Sequence, residues 1–278
     1  MRRPSRDQVY RRRLVALILL AAIAGGGAWA AWAAVRRHRS PAPPPTTVVT
    51  RPQIRVTLPE GLTFAQMAQV SAQESGPITV AGYERAARAV RLPAGFGRPA
   101  TPEGFLFPDT YFLYTNDPAP ALVEKQLENF RAKWGTVNMR YARSKNLTPY
   151  DVLTIASMIE KEAVVESERP LIAAVVYNRL HAQMTLGIDA TIRYALDVPG
   201  TRSLTQAELS NPTPYNTRLH KGLPPTPIAN PGLASIQAAA HPAKVDYLYF
   251  VAKPDKRHHY FTASFDDFNR YKAEHGYR

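Results

Sequence analysis

The chain contains no cysteine among its 278 residues, so zinc–thiolate sites and cysteine nucleophiles are excluded, and disulfides give no clue to compartment. It has no Gly-x-Ser-x-Gly elbow either, and His241, His258 and His259 lack the spacing of a metal-ligand set, which leaves them structural or surface roles. Recognition-helix, zinc-finger and aromatic RNA-binding signatures are also missing. The net charge of +13 would invite a nucleic acid, but nine arginines against one aspartate in residues 1–39 supply +8 of it and leave only +5 for the other 239 residues. The basic excess therefore flanks a membrane segment, where it sets topology and meets anionic headgroups.

What is present begins with Arg2, Arg3, Arg6, Arg11, Arg12 and Arg13, followed by 22 uncharged residues from Leu14 to Val35. That run is long enough to span a bilayer. Arg36, Arg37 and Arg39 lie beyond it, fewer than on the near side, so the positive-inside bias predicts a single-pass anchor with residues 1–13 cytoplasmic, a transmembrane helix at 14–35 and everything after residue 40 outside. Ala31-Trp32-Ala33 imitates a signal-peptidase site, but the length of the apolar run and the arginines after it favour the anchor. Residues 36–53 form a spacer rich in Pro and Thr that favours extended backbone.

Beyond the spacer the order of elements is α+β. Ile54 to Leu58 alternates as a short strand, Thr63 caps a helix burying Phe64, Met67 and Ala68, and a second helix runs from about Val80 to Val90. Residues 54–95 thus read as a small packing or binding module without a catalytic group, ahead of a larger domain at 96–278. Glu103 to Tyr111 reads as a turn entering a core strand. Asp117 and Pro118 open a helix that buries Leu122, Val123, Leu127, Phe130 and Trp134 and stops at Gly135. Pro170 begins another, with Leu171, Ile172, Val175, Val176 and Leu180 inward. From Gly187 to Pro231, Pro and Gly break the chain around Asp189, Thr191, Tyr194, Tyr215, Asn216 and Thr217, a texture expected of a binding surface. Asn230 and Pro231 start a helix to His241, Tyr247–Ala252 and His258–Thr262 make a hairpin, and Ser264 caps a last helix.

The stretch from Thr148 to Ala163, TPYDVLTIASMIEKEA, is the candidate centre of the chemistry. Thr148 caps a helix, Pro149 suits its first position and Asp151 favours its positive end. Val152, Ile155, Ala156, Ile159 and Ala163 recur at helical spacing, and Glu162 falls on the shoulder of that apolar stripe. A carboxyl at the edge of a core loses solvation of its charged form and holds its proton toward neutrality, as a general acid must. The plainer reading is an amphipathic helix ending in solvated charges. The wheel does not single out Glu162: Glu166 would also point inward if the helix continued, and Glu160 is only modestly worse placed.

EGFLFPDTY at 103–111, ASMIEKEA at 156–163, ERPLIAAVVYNRL at 168–180, Asp189-x-Thr191-x-x-Tyr194, PYNTRLHKGLPPTPIANPG at 214–232, AAAHPA at 238–243 and YLYFVA at 247–252 together resemble the endolytic murein transglycosylases, the YceG-like or MltG-type family. The resemblance implies an α+β protein of the bacterial inner membrane: a transmembrane helix, a shortened LysM-like module and a YceG-like, lysozyme-like catalytic domain outside the cytoplasm. It further implies endolytic cleavage of nascent peptidoglycan between N-acetylmuramic acid and N-acetylglucosamine, leaving 1,6-anhydro ends. The family's catalytic glutamate falls on Glu162, and substrate contacts fall on Asp189, Thr191, Tyr194, Tyr215, Asn216 and Thr217. No metal or organic cofactor is implied, and peptidoglycan synthases are candidate partners. Two departures stand out: Ala163 replaces the family's Ser or Thr after the glutamate, and the LysM-like module is short. Both would suit the alternative of a weak or inactive glycan-binding scaffold. A conventional muramidase would instead recruit Glu166, Glu168 or Asp189 as a second carboxylate.

Overall fold

The computed structural model describes residues 6–37, 51–97 and 99–277, which fall into two units, Met1–Thr50 and Arg51–Arg278. In the first, helix α1 (Arg6–Arg37) contains an apolar segment, Leu14–Arg36, with none of it buried and a mean hydropathy of 2.2. At about 1.5 Å per residue it is long enough to cross a bilayer. Residues 38–50, and with them most of the Pro-rich spacer, lie outside the described residues.

The second unit starts with β1 (Gln53–Thr57), followed by α2 (Phe64–Ser75), α3 (Val80–Ala89) and β2 (Thr110–Tyr114). β1 and β2 pair antiparallel, with Val56 opposite Tyr111 and Ile54 opposite Leu113. Thr63 caps α2 in a full capping box with Gln66, and Thr79 caps α3. The division expected between residues 95 and 96 is crossed by this pairing: a five-residue strand satisfies its ladder only against a partner, and the partner is 53 residues further on. Val56, Met67, Tyr83, Leu113 and Leu122 share one buried cluster with Ile155 and Ile159, so the small module and the larger domain have a common core.

The remaining elements are largely helical. α4 (Ala119–Trp134) ends at Gly135, and α5 (Arg140–Ser144) leads to α6 (Pro149–Glu162). A 3-10 turn at Glu166–Glu168 precedes α7 (Arg169–His181). The region broken by Pro and Gly, expected from its texture to be loop, contains two short helices, α8 (Asp189–Leu196) and α9 (Gln206–Leu209). α10 (Leu233–Ala240) is capped by Gly232, so it starts two residues beyond the expected Asn230–Pro231. β3 (Tyr249–Ala252) and β4 (His259–Thr262) make the hairpin, and Ser264 caps α11 (Phe265–Glu274).

α6 is the central element. It packs against α10, α7 and α8, and every side chain from Val152 to Ile159 is buried. Its start follows the sequence: the capping box closes with Thr148 N donating to Asp151 Oδ2 at 2.8 Å and Asp151 N donating to Thr148 Oγ1 at 3.2 Å. Its end is at Glu162, with Ala163 turning into extended backbone.

Candidate functional site

Glu162 occupies the last turn of α6, and the helix stops there. Glu166, which a longer helix would have turned inward, lies in the 3-10 turn and is exposed. Glu162 keeps an intermediate solvent exposure although its carboxyl is densely surrounded by protein. Loss of solvation, with the negative charge of Asp189 second, pushes its pKa up to about 7; the Ala190 amide, Arg193 and Arg218 pull the other way. The negative end of the helix dipole acts in the same direction as burial.

Glu160, two residues earlier, has a different environment. Its Oε1 accepts from Arg169 Nη2 at 3.1 Å and its Oε2 from Gly232 N at 3.0 Å, and its side chain is only 7% exposed. Arg169 Nε also donates to Ser235 Oγ at 3.1 Å, and Glu60 approaches the same guanidinium at 3.9 Å. A Cβ at Gly232 would overlap the Glu60 carboxylate, so the glycine lets this ion cluster close over the start of α10. Glu160 is thereby occupied in joining α6, α7 and α10. Lys161 donates to Gly61 O at 3.1 Å and so ties the same turn to the loop before α2.

Asp189 and Arg193 come from the first two turns of α8, and Arg218 from the loop after Thr217. Arg218 Nε donates to Asp189 Oδ1 at 2.6 Å, with both side chains part exposed. Arg193 and Arg218 do not stand out in the sequence, and the signal that could have placed them beside Glu162 is their nearness in sequence to Asp189 and Thr217. Tyr194, also on α8, has its ring centroid 5.3 Å from that of Tyr215, and Tyr215 Oη shares a hydrogen bond with Thr226 Oγ1 at 2.9 Å. Both tyrosines remain partly exposed.

Thr191, Asn216 and Thr217 are placed differently. All three are buried, and their polar atoms are spent on the protein itself. Thr191 Oγ1 donates to Ile188 O at 2.7 Å and meets Thr217 Oγ1 at 3.1 Å, while Thr217 Oγ1 accepts from Ile188 N at 3.0 Å. Asn216 Nδ2 donates to Leu209 O and Asn211 O at 3.0 and 2.7 Å, and its Oδ1 accepts from Arg218 N at 3.0 Å. These side chains hold the backbone that presents Asp189, Tyr215 and Arg218. Polar identity alone does not distinguish a residue that faces a ligand from one that ties its loop.

Another glutamate is more deeply buried. Glu103, 2% exposed, accepts hydrogen bonds from Phe64 N, Asn230 Nδ2 and Tyr194 Oη. Burial pushes its pKa up to about 7 against the pull of those donors. Asn230 completes a latch beside it: its Oδ1 accepts from Gly104 N and Leu106 N, its backbone N donates to Leu62 O, and its own carbonyl accepts from Gly61 N. Among the described residues no group of three or more His, Asp or Glu side chains could hold a metal ion. Glu168 is instead paired with His259, whose Nδ1 lies 2.7 Å from Glu168 Oε2.

The same arrangement of segments is found in known proteins. A model of the YceG-like family matches residues 32–274. An endolytic murein transglycosylase of Bacillus subtilis is 38% identical over 175 residues, covering 62% of this chain and 47% of its own. One of Streptococcus pneumoniae is 31% identical over 249 residues, covering 79% of this chain and 44% of its own. The chain thus spans about half the length of these curated relatives. A crystal structure of a yceG-like protein from Listeria monocytogenes superposes with a TM-score of 0.70 at 29% identity, covering 78% of this chain and 75% of that one.

Proposed function

Given that the chain belongs to the YceG-like family, we propose that it is a membrane-anchored lytic transglycosylase that cuts peptidoglycan glycan strands internally, with Glu162 as its single acid and base. The observation that carries this reading is the contrast within one helical turn: Glu160 is committed to a shielded ion pair with Arg169 and to Gly232 N, whereas Glu162 enters no ion pair among the described residues and, against the pull of the Ala190 amide, Arg193 and Arg218, its carboxyl is pushed up to about 7. The names of the Bacillus and Streptococcus relatives support the substrate class.

In this mechanism the neutral Glu162 carboxyl gives its proton to the glycosidic oxygen as the bond to the muramic acid C1 breaks. The resulting carboxylate takes the proton of that sugar's own 6-hydroxyl, whose oxygen closes on C1 to give the 1,6-anhydro end. No water is consumed. Intramolecular attack needs no activated external nucleophile, so a second catalytic carboxylate is unnecessary. Burial, with the charge of Asp189 second, favours the protonated Glu162 before the reaction, and the Asp189 charge is partly offset by Arg218. Tyr194 and Tyr215 offer aromatic faces to the sugar rings.

On the same reading β1, α2, α3 and β2 are the shortened LysM-like part, built into the core and not hung from it as a separate domain. α1 crosses the inner membrane with residues 1–13 cytoplasmic and places the second unit where new glycan emerges. Peptidoglycan synthases are the natural partners of an enzyme so placed.

The test is mass spectrometry of products from purified uncrosslinked strands. Anhydro ends are expected. Reducing ends would assign a hydrolase using Asp189 as second carboxylate, and uncut strands would assign the scaffold.

A further inference from the structure

The mechanism above makes no use of Glu103, although it is buried and hydrogen-bonded to Tyr194. Its Oε1 accepts from Phe64 N and Asn230 Nδ2, each at 2.9 Å; its Oε2 accepts from Phe64 N and Tyr194 Oη, each at 3.1 Å. A buried carboxylate is costly unless donors surround it. Two of these donors have an evident structural use, because Phe64 N is an unpaired first amide of α2 and Asn230 joins three chain segments. The Tyr194 bond is of another kind. It reaches across 91 residues to the helix that also carries Asp189 and Arg193 beside Glu162.

Tyr194 and Tyr215 stand 5.3 Å apart with their planes 52° from one another, and both are part exposed. The Tyr215 hydroxyl is held by Thr226 and the Tyr194 hydroxyl by Glu103, so each ring is anchored at its polar tip while its face stays open. Rings fixed in this way present a surface of defined shape at little entropic cost, which suits the flat apolar face of a pyranose.

We propose that Glu103 is a positioning residue for the glycan: by accepting the Tyr194 hydroxyl it sets the angle of that ring, and so the shape of the Tyr194–Tyr215 wall against which a sugar packs. This rests on the proposed function for the identity of the ligand. Glu103 itself touches no substrate. Its effect on the glycan passes entirely through the Tyr194 hydroxyl.

A double-mutant cycle on the full chain in detergent separates this role from simple support of the fold. Tyr194→Phe removes the hydroxyl and keeps the ring. Glu103→Gln keeps the acceptor for Phe64 and Asn230 but turns an amide NH2 toward Tyr194, where an oxygen had accepted. Calorimetric binding of N-acetylglucosamine oligomers should weaken about tenfold in each single variant, and the double should be no weaker than the worse single, since both lose the one bond in which the Tyr194 hydroxyl donates to residue 103 and fixes the ring. Any loss of Tm from Glu103→Gln should persist in the Tyr194→Phe background, because the Phe64 and Asn230 contacts are independent of the phenol. Additive losses, about hundredfold in the double, would overturn the proposal, as would unchanged binding in either single variant or a wild type that binds no oligomer. Strand cleavage is scored in parallel: a wild type that binds oligomers without forming anhydro ends would remove the proposed reaction and leave the binding cycle readable.

Discussion

Glu160 Oε1 and Arg169 Nη2 lie 3.1 Å apart with both side chains largely shielded from solvent, and this pair gives the two glutamates of the Glu160-Lys161-Glu162 run opposite expected behaviour on substitution. Glu160→Gln breaks a shielded ion pair and leaves Arg169 with only the more distant Glu60. It should cost about 3 kcal/mol, read as a lowered midpoint in urea. Glu162→Gln breaks no such pair, so the midpoint should not fall while strand cleavage disappears, because the amide cannot act as a general acid. Retained cleavage by Glu162→Gln would refute the assignment.

The pH profile should follow Glu162. Its carboxyl is raised to about 7, so the acid form dominates below that value and is lost above it; kcat/KM should fall on the alkaline side of about pH 7. Asp189→Asn removes the neighbouring negative charge and frees Arg218 to act on Glu162, and both changes favour the carboxylate. The alkaline limb should therefore move down by about one pH unit. A limb that stays in place would mean that Asp189 does not act on the catalytic proton.

The same shift has a sign for stability. The folded chain binds the Glu162 proton more tightly than the unfolded chain, whose carboxyl titrates near its ordinary 4.5. Stability from this group is full below about 4.5 and is lost as pH rises to about 7. Glu162→Gln should gain on the wild type across that window by on the order of 1–3 kcal/mol. Urea unfolding of both proteins at pH 5 and pH 8 measures the difference.

Local signals made much of the fold legible. The Thr148 and Thr63 caps, the Pro118 and Gly135 limits of α4 and the Ser264 cap each act within a few residues, and each lies where the sequence reading expects it. α8 was not legible, because eight residues give barely two turns of periodicity in a region broken by Pro and Gly. The site was legible to the extent that its chemistry is local. Glu162 could be placed on the shoulder of a stripe, but what occupies Glu160 comes from 9 and 72 residues away. Glu103 lay in what reads as a turn, and its partners Phe64, Tyr194 and Asn230 are brought to it by the tertiary fold alone.

Asn216 illustrates the difference between carrying a site and touching a ligand. Asn216→Ala removes two donors and an acceptor in a buried position and leaves Leu209 O, Asn211 O and Arg218 N without these partners. The expected loss is about 2–3 kcal/mol of stability. The folded fraction should keep a kcat close to that of the wild type. If turnover fell instead, with the urea midpoint unchanged, Asn216 would act directly on the reacting sugar.

Gly104 is the most constrained glycine near the site. Its φ of +89° is open to glycine and strained for other residues, and a Cβ there would stand 2.8 and 2.9 Å from Pro227 Cγ and Cβ and 3.2 Å from Leu153 Cδ2. A proline ring cannot swing aside as a lysine tip could, and Leu153 is fully buried in α6, so relief must come from moving backbone. The segment available to move is the one that carries Thr226, the anchor of Tyr215, and Asn230, whose Oδ1 accepts from Gly104 N itself. Gly104→Ala should thus cost about 2–4 kcal/mol and also weaken oligomer binding in the protein that remains folded. The two effects are separable by measuring the urea midpoint and, well below it, calorimetric affinity. Lost stability with unchanged affinity would show that the Pro227 segment can relax without carrying Tyr215 with it, and the coupling between the Gly104 turn and the tyrosine wall would fail.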